Sequence, residues 1–212
     1  MRHSLIAIAL FAPVGCTVAT TAPSIAESDS QVQTDADLRR RLLEIAANYK
    51  GYEKADGRMR VAVVYCAAPT GIPKAQYQFS RSDDANSHGK KLYLMYAAKI
   101  DPITGSYTSG KLQKETDQVI VKESWLAERA KEDDRFSETV AGANGERYKP
   151  GAKGPLFAMF QVDQKNPLSD DGWVYGTLTP DGKTITGIGR ITNCMACHQK
   201  APHGRLFGLP RD

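Results

Sequence analysis

The sequence predicts an α+β fold: a mainly antiparallel β-sheet with flanking helices and a chemically distinct C-terminal segment. Three observations carry this. Leu38, Leu42, Ile45 and Tyr49 recur at helical spacing near the start of the folded part. Six short β-rich runs follow, separated by Gly, Pro, Asn and Asp clusters. The last two runs flank Pro180-Asp181-Gly182-Lys183, a turn sequence that joins them as a hairpin.

In chain order, the helix spans about residues 35–49, with Thr34 and Asp37 as an acidic N-terminal cap and Gly51 as its stop. The β-rich runs are Val61 to Cys66, Leu92 to Ala97, Gln118 to Ser124, Leu156 to Val162, Trp173 to Thr179 and Thr184 to Ile191. Ser124 to Asp133 reads as a short helix after its strand, and Asp134 to Lys153, polar with three glycines, as a surface loop near a site mouth. No internal repeat is visible.

At 212 residues, the chain has room for one ordinary domain after a leader. Its 41% hydrophobic and 25% charged residues suit a soluble globular protein, not a disordered or polytopic membrane chain. The net charge of +4 is spread without a basic block beyond Arg39 to Arg41, so nucleic acid is not an indicated partner.

Met1-Arg2-His3, an apolar stretch from Leu5 to Val18 and the small residues that follow read as a secretory signal over 1–26, with cleavage after Ser24-Ile25-Ala26. The alternative is lipoprotein processing at Cys16, with Pro13 where Leu is usual, and a noncleaved anchor is disfavoured by the short, interrupted apolar run. Residues 27–33 form a polar linker and 34–212 the working domain, exported to the periplasm.

Cys194-Met195-Ala196-Cys197-His198 fits the attachment pattern of c-type haem. Two thiols three residues apart can form thioethers to one haem, while the adjoining imidazole ligates its iron. A redox dithiol, half a zinc site and a structural disulfide compete. The first would sit near a βαβ unit, the second needs further ligands, and the third leaves His198 unexplained. The C-terminal segment is therefore expected to attach one covalent haem c through Cys194 and Cys197, with His198 on the iron.

Other ligand candidates read as structural. Cys66 is a small buried hydrophobe, His88 a solvated turn residue, and His203 is too near His198 to reach the opposite haem face. Among Met59, Met95 and Met159, two fall in apolar β-runs and read as core. With no second axial ligand evident, the iron keeps one open face, which favours ligand binding or catalysis over simple electron transfer.

Several segments together resemble the cytochrome P-460 family: Val119-Ile120-Val121-Lys122-Glu123-Ser124-Trp125, Gly172-Trp173-Val174-Tyr175-Gly176, and Cys194-Met195-Ala196-Cys197-His198 through Phe207-Gly208-Leu209-Pro210. His88-Gly89-Lys90-Lys91-Leu92-Tyr93 is similar to a further family segment, and the resemblance runs from about Val61 to the C-terminus. It implies a periplasmic mono-haem β-protein, often a homodimer, of one of two classes. One oxidises hydroxylamine at a haem bonded to a lysine side chain and passes electrons to a redox partner protein. The other, the cytochromes c-prime-beta, lacks that bond and binds nitric oxide or similar small nitrogen ligands. Carried over, Cys194 and Cys197 match the thioether cysteines, His198 the proximal ligand and Lys122 the cross-linking lysine. One departure weighs against hydroxylamine oxidation: Gly187-Ile188-Gly189-Arg190-Ile191 contains no carboxylate, and Asp181 is accounted for by turn chemistry.

Lys122 also stands out by pattern. In an extended run Ile120, Lys122 and Ser124 share one face and Val119, Val121 and Glu123 the other, so the strand is covered on both sides and the lysine is out of place. Burial beside the haem edge would lower its pKa. The competing reading is a long stem whose ammonium reaches solvent or a carboxylate.

Overall fold

The computed structural model describes residues 33–55, 77–80, 89–101, 106–108, 112, 117–131, 139–142 and 145–208. The expected leader with Cys16, the expected linker except Gln33, the expected strand Val61 to Cys66, and Met59 and His88 lie outside the described residues.

Helix α1, Asp35–Asn48, starts where the capping residues put it. The Thr34 hydroxyl accepts from the Asp37 amide at 3.3 Å, and the Asp37 carboxylate accepts from the Thr34 amide at 3.1 Å. It closes through a 3-10 turn, Tyr49–Gly51. Leu38, Leu42, Ile45 and Tyr49 are all buried, each side chain contributing about 1.5–3 kcal/mol.

The strands are β1 (Glu53–Lys54), β2 (Gln78–Phe79), β3 (Lys91–Ala97), β4 (Val119–Arg129), β5 (Val140–Ala141), β6 (Arg147–Gln161), β7 (Trp173–Leu178) and β8 (Ile185–Gly189). Among the described residues they form one antiparallel sheet in the order β1-β3-β4-β6-β7-β8, with β2 also on β3 and β5 on β6. A second helix, α2 (Thr192–His198), follows β8. The α+β class is therefore the observed one. The hairpin turn is also present: the Asp181 carboxylate accepts from the Lys183 amide at 3.1 Å and Gly182 takes φ +72°.

Two expectations are corrected. Ser124 to Asp133 does not begin a helix; β4 continues to Arg129, pairing Trp125 with Lys153, Ala127 with Pro150 and Arg129 with Tyr148. Asp134 to Lys153 is not one long loop either, because β6 begins at Arg147. Helix propensity in Ser-Trp-Leu-Ala-Glu-Arg is a weak preference, and cross-strand pairing overrides it. Two glycines of β6 make room for side chains of β4: a Cβ on Gly151 would run into the Glu128 side chain, and one on Gly154 would stand 2.6 Å from the Ser124 hydroxyl. Register shifts on either side of Trp125 absorb the irregularity.

Opposed residues in antiparallel strands share a face, so the register divides the sheet. Val119, Val121, Leu156, Ala158, Phe160, Val174 and Leu178 pack with Leu38, Leu42 and Ile45 of α1 and with Tyr49 of the turn that follows it. Gly176 lets the helix approach, since a Cβ there would stand 2.5 Å from a Leu42 methyl. On the other face Ala97, Ile120, Met159, Trp173 and Tyr175 pack with Leu206, and Cys194 and Met195 of α2 lie against them. Both faces are thus covered, as the β4 pattern indicates. Among the described residues no helix is long and apolar enough to cross a membrane.

Candidate functional site

The site lies on the face that meets α2. Its seven residues place Cys194 and Cys197 one turn apart and Cys194 and His198 at i, i+4, so all three project from one side of a short helix. Cys194 is partly buried, Cys197 is exposed, and neither is in a disulfide.

His198 is partly buried and firmly oriented. Its Nδ1 lies 2.7 Å from the carbonyl oxygen of Arg205. A carbonyl can only accept, so Nδ1 carries the proton and Nε2 the lone pair. The ring is flanked by Tyr175 and Phe207, each with centroids 5.4 Å away. Burial lowers the imidazole pKa and Lys122 lowers it further, against the Arg205 carbonyl, which raises it. The result favours the neutral form that ligates metals.

Lys122 stands in a cross-strand row with Met95 of β3 and Phe157 of β6. Its ammonium sits over the Tyr93 ring, 4.1 Å from the centroid, and makes no ion pair with a carboxylate among the described residues. Burial pushes its pKa down to about 8, opposed by Cys197. Lys122, Cys197 and His198 therefore interact electrostatically across the sheet–helix junction.

Glu123, one residue on, points to the α1 face and is buried there. Lys50 bonds to its Oε2, the Tyr96 hydroxyl donates to the same oxygen at 3.2 Å, and Lys153 lies 3.1 Å from Oε1. Burial raises its pKa, but the bonds from Lys50, Tyr49 and Lys153 outweigh this and hold the carboxyl below its usual range.

Of the candidate sixth ligands, Met159 is buried in the apolar cluster and Met95 packs at its edge. His203 is exposed in a tight turn, exchanging backbone bonds with Leu206.

Sequence reasoning missed Asp170 and Arg205. The Arg205 guanidinium grips the Asp170 carboxylate through two bonds of 3.0 and 3.1 Å, and the Tyr175 hydroxyl and Gln199 amide donate to the same carboxylate at 3.0 and 3.2 Å. Asp170 reads as a turn residue before Asp171-Gly172, and its partner is 35 positions away, so no local pattern exposes the pair.

The donor set fits a c-type haem: two thiols outside any disulfide, a neutral imidazole protonated at Nδ1, and an apolar sheet face beside them. No protein-family model and no curated protein matches this chain.

Proposed function

We propose that the protein is an exported mono-haem c-type cytochrome, similar to the cytochrome P-460 family, that binds small nitrogen ligands such as nitric oxide or hydroxylamine at an open haem face. The observation that carries the reading is the His198 ring: its proton is held at Nδ1 by the Arg205 carbonyl, which leaves the lone pair on Nε2, the atom that would ligate the iron, in a residue one position from a thiol and four from another. A haem bound there would supply an iron able to bind the small ligand. Cys194 and Cys197 would tether it, His198 would hold the iron, and Ile120, Met159 and Tyr175 would keep water from that side. A zinc ion at the same residues would need a fourth ligand beside Cys194, Cys197 and His198.

After export with haem-maturation machinery, the denatured protein is expected to keep its haem on a gel, and loss of all haem would reject the reading. His198→Ala should stay tethered with an altered spectrum, because ligation and thioether formation use different atoms. Spectra of ferric and ferrous protein with and without nitric oxide then report the open position. Export predicts a mature chain starting near Glu27, read by intact mass; a diacylated Cys16 would show the lipoprotein route instead.

A second reading, hydroxylamine oxidation with electrons leaving to a redox partner protein, is favoured by Lys122. Its pKa, pushed down to about 8, keeps part of the amine neutral and nucleophilic beside Cys197 and His198. A bond to the haem would replace one N–H and one haem C–H, with two electrons and two protons passing to an added oxidant such as a peroxide. Peptide mass analysis distinguishes the two: a Lys122 peptide joined to the Cys194–His198 haem peptide supports this class, and an unmodified Lys122 peptide from haem-loaded, oxidant-treated protein removes it.

A further inference from the structure

The Arg205 carbonyl that holds His198 does not stay in position through its own backbone preference. Arg205 has φ +74°, the left-handed region disfavoured for a residue with a Cβ. Its guanidinium, however, meets Asp170 in a two-point grip, Nε to Oδ2 and a terminal nitrogen to Oδ1. Asp170 is itself fixed: it is buried, and its backbone exchanges bonds of 2.8 and 3.1 Å with Trp173 at the entrance to β7. The same carboxylate takes the side chain of Gln199, the residue directly after His198, and the hydroxyl of Tyr175, whose ring flanks the His198 imidazole. One carboxylate therefore ties both ends of the 199–205 segment and one wall of the imidazole.

We infer that Asp170 is a positioning residue for the His198 imidazole: through Arg205, Gln199 and Tyr175 it presses the Arg205 carbonyl against Nδ1 and so sets the donor strength of Nε2 towards the haem iron. The inference rests on the haem reading above. A hydrogen bond from Nδ1–H to a fixed carbonyl makes the imidazole more basic, and a more basic ligand favours ferric over ferrous iron. Loosening the grip should therefore raise the reduction potential.

Two haem-loaded variants test this. Asp170→Asn keeps the shape and one acceptor but loses the charge. Arg205→Gly removes the guanidinium while suiting the left-handed backbone, so it deletes the grip without adding strain. Both should keep covalent haem, shift the ferric/ferrous equilibrium about tenfold towards ferrous, equivalent to about 59 mV for one electron, and lower the iron–histidine stretching frequency of the ferrous form. Arg205→Lys, which can restore one ion pair, should recover part of the shift. Haem-loaded variants with the parent's potential and stretching frequency would overturn the inference, as would an equal shift in Glu123→Gln on the far face of the sheet, which would mark a general loss of stability. Nitrogen-15 shifts of the His198 ring in the haem-free chain read the contact independently. The parent should show one Nδ1–H tautomer and the two variants a mixture; unchanged tautomers overturn the inference. A parent chain without covalent haem defeats the functional reading itself, a result separate from any of these.

Discussion

Replacing Lys122 by Met tests whether an ammonium is held at an energetic cost on the α2 face. The two side chains are similar in length and Met is neutral, so the change removes charge with little change in packing. The folded-state pKa is pushed from 10.5 down to about 8, so between these values the unfolded chain binds the extra proton and stability rises with pH. At about 1.36 kcal/mol per pH unit, the charged lysine costs at most about 3 kcal/mol near pH 7. The Tyr93 face beneath the ammonium returns about 0.5–2 kcal/mol of that. Lys122→Met should therefore stabilise the haem-free chain by about 1–3 kcal/mol near pH 7, and the gain should fall below about 1 kcal/mol by about pH 10. Urea unfolding of both chains across that range measures it, and the tyrosines that ionise near the upper limit cancel in the difference. A difference that does not change with pH, or a variant less stable than the parent near pH 7, would refute the reasoning.

Two further predictions concern the opposite face. Glu123→Ala removes the acceptor shared by Lys50, Lys153 and Tyr96; both lysines reach water, so the cost should be about 1–3 kcal/mol, below that of a fully buried pair, seen as a lower urea midpoint with unchanged slope. Because the folded carboxyl is held below its usual pKa, its contribution is present above the unfolded value and lost as pH falls through the folded one, so Glu123→Gln should flatten the acid limb of the stability curve; an unaltered limb would count against the cluster. Gly176→Ala should cost about 1–3 kcal/mol by driving a methyl into Leu42, and the double variant with Leu42→Ala should lose less than the sum of the two single changes; simple additivity would remove the close approach as the cause.

What the sequence discloses here is what short-range rules can reach. The α1 cap uses residues three apart, its buried stripe repeats at helical spacing, and the β7–β8 turn is encoded in four consecutive residues, so each was legible. The Cys194–His198 cluster is legible for the same reason, being local and fixed in spacing. The extension of β4 and β6 was not, because it depends on glycines of one strand facing side chains of the other, a match between segments more than twenty residues apart along the chain. The Asp170 grip was hidden by the same distance: a turn aspartate and an arginine in a coil acquire a joint meaning only when β7 and α2 bring them together.

Lys122 and Glu123 show how the sheet changes the meaning of a neighbouring pair. In the chain they look like adjacent opposite charges that could neutralise one another. In a strand, successive side chains leave on opposite faces, so the backbone of β4 stands between them. Glu123 is neutralised on its own side by Lys50 and Lys153, cations from outside β4. Lys122 receives nothing comparable from the described residues, only the face of Tyr93. Its charge is therefore a property of the α2 face alone, where it acts on Cys197 and His198, and a substitution at Glu123 should alter stability without altering that interaction. The same separation makes Glu123→Gln a suitable control for the His198 inference, since it disturbs the fold from the side that Asp170 and Arg205 do not touch.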